Sequence, residues 1–319
     1  MGSESINIKQ TADKIIENVS KVIVGKNEVI RLILAGILSD GHILIEDNPG
    51  TGKTMLARAV AKSIECDFKR VQFTPDLMPS DITGLNVFNP KQSSFELVRG
   101  PVFTNILLAD EINRATPRTQ SGLLEAMEEK QVTIDGKTIK LDNPFVVIAT
   151  ENPLETTGTY PLPEASLDRF IMKLSMGSTE KEEEISIIDR YIEENPFEKI
   201  EAVCTIDELL EMKKAVKKIF VHACVREYIV DIIMAARGSD RLSGGVSTRG
   251  TLSLVRCAQA YSAIIGKPYV DPDVVKTVAP HVLSHRAVSL GGYNASSKNN
   301  DIIRKLINDI DVPVENWEI

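Results

Sequence analysis

The spacing of apolar residues changes character along the chain. Near its start they recur every three or four positions, which predicts helices at residues 11–20 and 26–39. Short apolar runs of strand length follow, each separated from the next by enough chain for a crossover helix. The runs are His42–Glu46, Lys69–Phe73, Ile106–Asp110 and Phe145–Thr150, with a fifth strand expected at Phe170–Met176. This alternation predicts an α/β fold in which helices cover both faces of a multi-stranded parallel sheet.

Two stretches interrupt this alternation with residues that alternate in polarity around a turn. Thr83–Val98 contains the turn residues Asn89-Pro90, and Gln131–Leu141 turns at Asp135-Gly136. Both patterns are typical of β-hairpins. We therefore expect two hairpin insertions on an otherwise compact core.

The pattern becomes helical after residue 178. Thr179 and Glu182 have the spacing of a capping box that would start the first of these helices. The predicted helices are Lys181–Glu194, Asp207–Phe220, Val225–Arg237, Thr248–Gly266 and Asp273–His285, with a short one at Asp301–Ile310 in a loosely ordered end. This change places a domain boundary that divides the chain into residues 1–178 and 179–319.

A glycine-rich loop connects the first predicted strand to a helix. It reads Asp47-Asn48-Pro49-Gly50-Thr51-Gly52-Lys53-Thr54, and Met55 follows it on the helix. Glycines there let backbone N–H groups turn toward phosphates, and the helix N-terminus adds positive potential. Lys53 would contact the terminal phosphates, and Thr54 would ligate Mg²⁺. Asp47 stands where this pattern usually has glycine, which leaves open whether its charge weakens nucleotide binding.

Two adjacent carboxylates end the third predicted strand. Asp110 would hold the water shell of the magnesium ion, while Glu111 would orient the water that attacks the γ-phosphate. The plainer alternative is a solvated turn after a core strand. The phosphate loop upstream favours the catalytic interpretation.

Composition narrows the class of protein. With 43% hydrophobic and 26% charged residues in 319, the chain matches an ordinary globular protein with room for two domains. Its early apolar stretch is too short for a membrane span and no leader pattern precedes it, so a cytoplasmic location is expected. The net charge of −8 and the lack of a basic run disfavour nucleic-acid binding.

The positions of the cysteines and histidines favour packing roles over metal binding or redox chemistry. The cysteines are far apart among apolar neighbours and are expected to be reduced: Cys66, Cys204, Cys224 and Cys257. His281 and His285 lie four apart on a predicted helix, as two metal ligands could, but no acidic third ligand accompanies them.

Several stretches, in order, resemble AAA+ ATPases and specifically the MoxR family. They are Gly100–Phe103, Leu108–Arg114, Pro117–Gln120, Leu123–Glu128, Gly158–Ala165 and Leu167–Phe170. The resemblance implies a P-loop NTPase core with a parallel sheet, followed by an all-helical lid domain at residues 179–319. It also implies ATP and Mg²⁺ as ligands and a homo-oligomer, expected to be a hexameric ring.

The same resemblance assigns further site residues. Asn152 matches the sensor-1 residue that hydrogen-bonds the attacking water or the γ-phosphate, and Arg169 matches the arginine finger that reaches a neighbouring subunit's nucleotide. Arg249 matches the sensor-2 arginine that swings from the lid onto the nucleotide. The dipeptide Val24-Gly25 matches the backbone that cradles adenine.

Each of the three polar assignments has a plainer alternative. Asn152 precedes a proline and could merely start a turn, Arg169 could pair locally with Asp168 or Glu164, and Arg249 could face solvent. This chain also departs from the family pattern beside two of these positions. Glu151 stands where Gln is more frequent, and Gly250 where Ala is more usual.

The resemblance favours an ATP-driven remodelling or maturation factor that acts on client proteins. In the family, partners are commonly proteins with von Willebrand factor A domains. A second hypothesis is a switch that assembles with ATP but hardly hydrolyses it, and Asp47 is its best support. The third is a DNA-acting motor, which the few basic residues of the two predicted hairpins disfavour.

Overall fold

Strands and helices alternate through the first half of the chain, and helices dominate the second half. The computed structural model describes residues 7–153, 158–243, 246–289 and 296–313. Its helices, numbered in chain order, are α1 (Ile8–Ser20), α2 (Asn27–Leu38), α3 (Lys53–Ser63), α4 (Pro79–Thr83), α5 (Pro117–Glu129), α6 (Glu164–Leu167), α7 (Lys181–Glu193), α8 (Ile206–Val216), α9 (Ala223–Arg237), α10 (Thr248–Ile264), α11 (Pro272–Leu283) and α12 (Ser296–Asp309). None of the helices within these ranges has the length and apolar character of a membrane span.

The strands fall into one large sheet and several short pairs. They are β1 (His42–Glu46), β2 (Phe68–Gln72), β3 (Gly84–Asn89), β4 (Ser94–Arg99), β5 (Ile106–Asp110), β6 (Gln131–Ile134), β7 (Lys137–Lys140), β8 (Val146–Glu151), β9 (Phe170–Leu174), β10 (Phe220–Val221), β11 (Leu242–Ser243), β12 (Tyr269–Val270) and β13 (Val288–Ser289). The large sheet has the order β2-β5-β8-β1-β9, and every neighbouring pair in it is parallel. The predicted α/β fold class is confirmed, although β9 ends two residues earlier than expected.

The sheet's strand order decides where its polar residues meet. Because β5, β8 and β1 are adjacent and parallel, the residues that follow each of them lie along the same edge. That edge therefore collects the phosphate loop after β1, the carboxylates at the end of β5 and Asn152 after β8.

Side chains of the sheet alternate between two apolar clusters. Ile43 and Ile45 of β1 join a cluster that includes buried residues of α1, α2 and α3, whereas Leu44 joins a cluster with α5. The first cluster continues into the helices after β9 and includes Ile232 and Leu254. The helical part of the chain thus shares one hydrophobic core with the sheet.

Both hairpins are present as insertions. In the first, β3 pairs with β4, and Phe88 and Phe95 face each other across the strands with ring centroids 5.4 Å apart. In the second, β6 and β7 are joined by Asp135 and Gly136, both at positive φ as such a tight turn requires. The first hairpin leaves both phenylalanines about half exposed or more, at 49% and 71%.

The helical part differs from expectation in detail. It contains two short strand pairs, β10 with β12 and β11 with β13, so it is not purely helical. The capping box predicted from Thr179 and Glu182 is wrong by one residue: Glu180 is the N-cap, and its backbone N–H donates to Glu183 Oε2 at 3.1 Å. Helix α12 starts at Ser296, five residues before the prediction, while residues 290–295 and 314–319 of the expected loose end lie outside the described ranges.

Candidate active site

The phosphate loop joins β1 to α3 with two glycines in left-handed backbone conformations. Gly50 has a φ of 83°, and Gly52, the N-cap of α3, has a φ of 87°. A side chain at Gly50 would meet no atom within 4 Å, so the backbone angle and not crowding explains the glycine. The loop is therefore shaped to present N–H groups at the start of a helix, where anions bind.

Lys53 is 9% exposed and turns back onto its own loop. Its Nζ donates to the carbonyl oxygens of Asp47 at 2.7 Å and of Asn48 at 2.8 Å. Burial lowers the pKa of Lys53, and the nearby charges of Asp47, Asp110 and Glu111 oppose that shift. The ammonium is thus held at the mouth of the loop, among the site's carboxylates.

Asp47 differs from the expectation for the first loop position. Its φ is not positive, so the backbone does not require glycine there. Its carboxylate accepts a hydrogen bond from Ser175 Oγ at 3.0 Å and another from the backbone N–H of Met176. The charge is therefore engaged by the segment that follows β9.

Thr150 connects the two carboxylate residues. Its hydroxyl donates to Asp110 Oδ1 at 2.6 Å and accepts from the backbone N–H of Glu111 at 2.8 Å. Glu111 has φ 56° and ψ 52°, a left-handed conformation that costs energy for a residue with a side chain. The bond to Thr150 helps to keep Glu111 in that conformation at the end of β5.

Two side chains of β2, which belong to no sequence motif, contact these carboxylates. Arg70 Nε donates to Asp110 Oδ2 at 3.0 Å, and Arg70 Nη2 lies 2.7 Å from the same oxygen, while Gln72 Nε2 donates to Glu111 Oε2 at 2.7 Å. Arg114 adds a contact to the same Glu111 oxygen at 3.0 Å. The sequence does show two polar residues two positions apart on a predicted strand. That pattern indicates a contact with the carboxylates only once β2 is known to border β5.

One cavity brings the predicted hydrolytic residues together. It has a volume of about 400 Å³, and its lining includes Lys53, Thr54, Asp110, Glu111 and Asn152. The side chain of Asn152 is nearly buried, with 5% of the residue exposed. These residues fit a magnesium-bound triphosphate, because the loop and Lys53 supply positive charge while Thr54 and Asp110 supply oxygen ligands.

A second cavity continues from the loop toward α7. It has a volume of about 700 Å³, and its lining includes Val24, Met55, Met176 and Tyr191. Gly25 is not among the lining residues. A Cβ there would lie 1.7 Å from Glu183 Oε1, so Gly25 makes room for α7 while Val24 faces the cavity.

The two predicted arginines meet elsewhere on the chain. Arg169 Nη2 lies 2.8 Å from Glu128 Oε2, and Arg249 Nη2 lies 2.6 Å from Glu128 Oε1. Both line a third cavity, of about 640 Å³, which contains no phosphate-loop residue. The structure thus places Arg249 beside Arg169 and not on the phosphate loop. Arg169 pairs with Glu128 and not with Asp168 or Glu164, while Arg249 pairs with the same carboxylate although 49% of its side chain is exposed.

Three of the cysteines and His285 pack in the interior, whereas Cys224 is only partly buried. Cys66, Cys204 and Cys257 are buried free thiols, and burial raises the pKa of each to about 12. His285 Nε2 contacts the Phe170 carbonyl oxygen at 2.9 Å, and burial lowers its pKa. Within the described residues, no group of three or more His, Cys, Asp or Glu side chains could hold a metal ion.

Comparison with known proteins shows the family to which the chain belongs. A family model described as "ATPase family associated with various cellular activities (AAA)" matches residues 42–172, and an AAA lid domain model matches residues 234–306. The chain is 39% identical over 287 residues to Chaperone MoxR1 of Mycobacterium tuberculosis, which covers 87% of this chain and 76% of that protein. It is 45% identical over 307 residues to the uncharacterised protein YeaC of Bacillus subtilis, with 95% of both covered. A crystal structure of a candidate ATPase from Cytophaga hutchinsonii matches with a TM-score of 0.88, 37% identity and 97% coverage of both chains.

Proposed function

This chain belongs to the AAA+ ATPases of the MoxR type, and we propose from that premise that it hydrolyses MgATP at the interfaces of a ring of identical subunits. The observation that carries the proposal is the division of the polar residues between two cavities. Lys53, Asp110 and Glu111 line one, while Arg169 and Arg249 line the other. A complete site would then need the first cavity of one subunit and the arginines of the next.

The residues of the first cavity would divide the work of hydrolysis. Lys53 would exchange its loop carbonyls for oxygens of the terminal phosphates, and Thr54 with Asp110 would hold the magnesium ion. When bound, Mg²⁺ would neutralise charge on the phosphate oxygens. Glu111 would accept a proton from the attacking water, and Asn152 would orient that water or the γ-phosphate.

The two arginines would complete the neighbouring subunit's site. Both guanidinium groups already share the carboxylate of Glu128, which keeps them close together at the boundary between sheet and lid. A phosphate that develops negative charge would compete with Glu128 for them. This arrangement supports Arg169 as the arginine finger and Arg249 as a second arginine acting across the interface.

The test is phosphate release by the purified protein with ATP and Mg²⁺. Glu111→Gln should abolish turnover and retain ATP binding, because the water loses its base while the phosphate loop is unchanged. Glu125→Gln, the same chemical change at an exposed position of α5, is the matched control and should hydrolyse ATP normally. Full turnover in Glu111→Gln would refute the assignment of this residue.

A second candidate is a nucleotide-dependent assembly switch with little turnover. Asp47 no longer supports it, because its carboxylate is engaged by Ser175 and Met176. The ion pair of Arg70 with Asp110 supports it instead, since the guanidinium occupies an oxygen that would serve the magnesium. The switch is favoured if ATP drives assembly with negligible phosphate release and Arg70→Ala raises that release.

For the cellular role, we propose chaperone-like remodelling or maturation of client proteins in the cytoplasm by a hexameric ring. The relative named Chaperone MoxR1 supports the chaperone-like role. A protein with a von Willebrand factor A domain is the proposed partner, by family resemblance. Pulldown with Glu111→Gln protein in ATP should retain such a partner, whereas the same experiment in ADP should release it.

A DNA-acting motor has the weakest support. The first hairpin exposes the apolar residues Leu85, Phe88 and Phe95, and its only basic residues are Lys91 and Arg99. Phosphate-tracking surfaces depend instead on lysine and arginine. Tight, salt-resistant binding of single- or double-stranded DNA in a gel-shift experiment would reverse this ranking.

A further inference from the structure

Arg286 is a buried cation of the lid, and all but one of its hydrogen-bond partners lie in the core. It follows α11, and only 2% of its side chain is exposed. Its Nε donates to Asp168 Oδ1 at 2.7 Å, and its Nη2 donates to the carbonyl oxygens of Asp168 at 3.2 Å and Phe170 at 2.7 Å. Its Nη1 donates to the carbonyl oxygens of Ile171 at 3.2 Å and of Val282. A buried guanidinium needs such partners, and most of these belong to residues 168–171.

These partners flank Arg169, the proposed arginine finger. Asp168 precedes it and Phe170 follows it, so Arg286 binds the backbone on both sides of the residue. Arg286 borders the same cavity as these arginines, but only 2% of its side chain is exposed and all three of its nitrogens donate to protein oxygens, so we assign it no contact with a neighbour's nucleotide. Any effect it has on hydrolysis must therefore pass through the residues it holds.

Asp168 also connects Arg286 to the helix that carries Arg249. Its second carboxylate oxygen accepts a hydrogen bond from Ser247 Oγ at 3.0 Å. Ser247 is the N-cap of α10, and Arg249 is the second residue of that helix. The carboxylate thus links the backbone that carries one arginine to the backbone that carries the other.

Gly250 allows the first turn of α10 to pack against Arg286. A Cβ at that position would lie 2.6 Å from Val246 Cγ1 and 3.0 Å from Arg286 Cδ. Real Cβ atoms rarely come so close, and the first turn of α10 therefore packs directly on the Arg286 stem. The glycine at this helix start, where alanine is more usual in the family, has a physical reason in this chain.

We propose that Arg286 is a positioning residue that holds Arg169 of the core and Arg249 of the lid in one fixed relation, so that both reach the neighbouring subunit together. This inference rests on the proposed hydrolysis across subunit interfaces. Arg286→Lys keeps the charge but replaces a planar fork with a single nitrogen, which cannot reach the same set of oxygens. We expect kcat to fall on the order of 10- to 100-fold, with KM for ATP changed less than about 3-fold, because the phosphate loop is untouched.

Mixing subunits separates positioning from general damage. A Lys53→Ala subunit should not bind ATP productively but carries correctly placed arginines, whereas an Arg286→Lys subunit has an intact phosphate loop. Mixed assemblies of these two full-length variants should therefore release phosphate faster than the sum of the separate proteins. Arg169→Ala mixed with Lys53→Ala is the positive control, since it lacks the finger itself.

A matched control breaks a different contact between lid and core. Tyr261 of α10 donates to Glu28 Oε1 of α2 at 2.7 Å, so Tyr261→Phe removes one such hydrogen bond away from residues 168–171. It should keep the parent's kcat. If Arg286→Lys does not fold, Gly250→Ala takes its place in the experiment. The new methyl group displaces Arg286 without removing any hydrogen-bond donor, so we expect the same loss of kcat and the same recovery of phosphate release on mixing.

The outcomes distinguish this inference from the function on which it rests. Unchanged kcat in Arg286→Lys, or in its replacement, overturns the positioning role. Lost activity with no recovery on mixing, when Arg169→Ala does recover, also overturns it and leaves the proposed function intact. If Arg169→Ala itself hydrolyses ATP normally, the interface mechanism fails, and the inference fails with it.

Discussion

Thr150→Val removes one hydroxyl on which both carboxylate residues depend. Thr150 is fully buried in β8, and valine has nearly the same shape, so the substitution creates no cavity. It deletes the 2.6 Å donation to Asp110 and the acceptor at 2.8 Å from the Glu111 N–H. The change therefore isolates two hydrogen bonds at the end of the sheet.

The magnitude follows from the nature of those bonds. A hydrogen bond to a charged group contributes about 1.5–3 kcal/mol, and a neutral one about 1 kcal/mol. Thr150 makes one of each kind, so we expect the free energy of unfolding to fall by about 2–4 kcal/mol. Glu111 also loses a bond that holds it in the left-handed region, so its carboxylate should shift and kcat should fall at least roughly 10-fold.

Urea unfolding and phosphate release measure the two effects. Thr150→Ser is the matched control, because it keeps the hydroxyl and loses only one methyl group, which contributes about 1 kcal/mol. Serine should retain most of the activity, and valine should not. A Thr150→Val protein as stable and as active as Thr150→Ser would show that the hydroxyl neither fixes Glu111 nor supports Asp110.

Two further predictions concern pH. Burial lowers the pKa of His42 from 6.5 to about 4, and His42 Nδ1 accepts a hydrogen bond from the Val147 N–H at 2.9 Å. As pH falls, His42 is therefore protonated in the unfolded chain before it is protonated in the folded protein. Stability should fall by up to about 3 kcal/mol between pH 6.5 and 4, and His42→Gln should remove that part of the slope in urea unfolding at pH 7 and 4.5. Burial raises the pKa of Glu151 from 4.5 to about 7, a shift that Lys173 opposes and Glu46 reinforces. The folded protein therefore holds this proton more tightly than the unfolded chain does, and the stabilisation that the protonated carboxyl provides is lost as pH rises from 4.5 to 7. Glu151→Gln should therefore be more stable than the parent at pH 8, by up to about 3 kcal/mol, and nearly equal to it at pH 5; equal stability at both values would contradict the shift.

The parts of the fold that were predictable depend on local pattern. Buried parallel strands read as apolar runs, which is why the five strands of the large sheet were found within two residues of their observed ends. The phosphate loop and the Asp110-Glu111 pair were predictable for the same reason, since each is a contiguous motif with a required neighbour element. Predicting that these motifs lie along one edge of the sheet required the strand order as well.

The missed residues depend on contacts between distant segments. Arg70 and Gln72 acquire their meaning only because β2 borders β5. Glu128 meets both arginines only after the lid has folded onto the core. No spacing rule within one segment reports such pairings, so the residues that hold a site are harder to predict than the residues that form it.

The three departures from the family pattern have a common location in space. The carboxylate of Asp47 binds Ser175 and Met176 just after β9, and Gly250 accommodates Arg286, which binds residues 168–171 at the start of β9. Glu151 lies beside the pair of Glu46 with Lys173, the latter within β9 itself.

This shared location links the two cavities. Strand β9 and its flanks run from Arg169, the proposed arginine finger, to Ser175 and Met176, which bind Asp47 of the phosphate loop, at about 3.3 Å per residue. Because β9 connects these two ends, we expect a displacement at Arg169 to reach the Asp47 contact through the strand. The residues that depart from the pattern therefore all contact β9 or its flanks, Gly250 through Arg286, and we expect substitutions at them to affect both the proposed nucleotide binding and the proposed placement of the arginines.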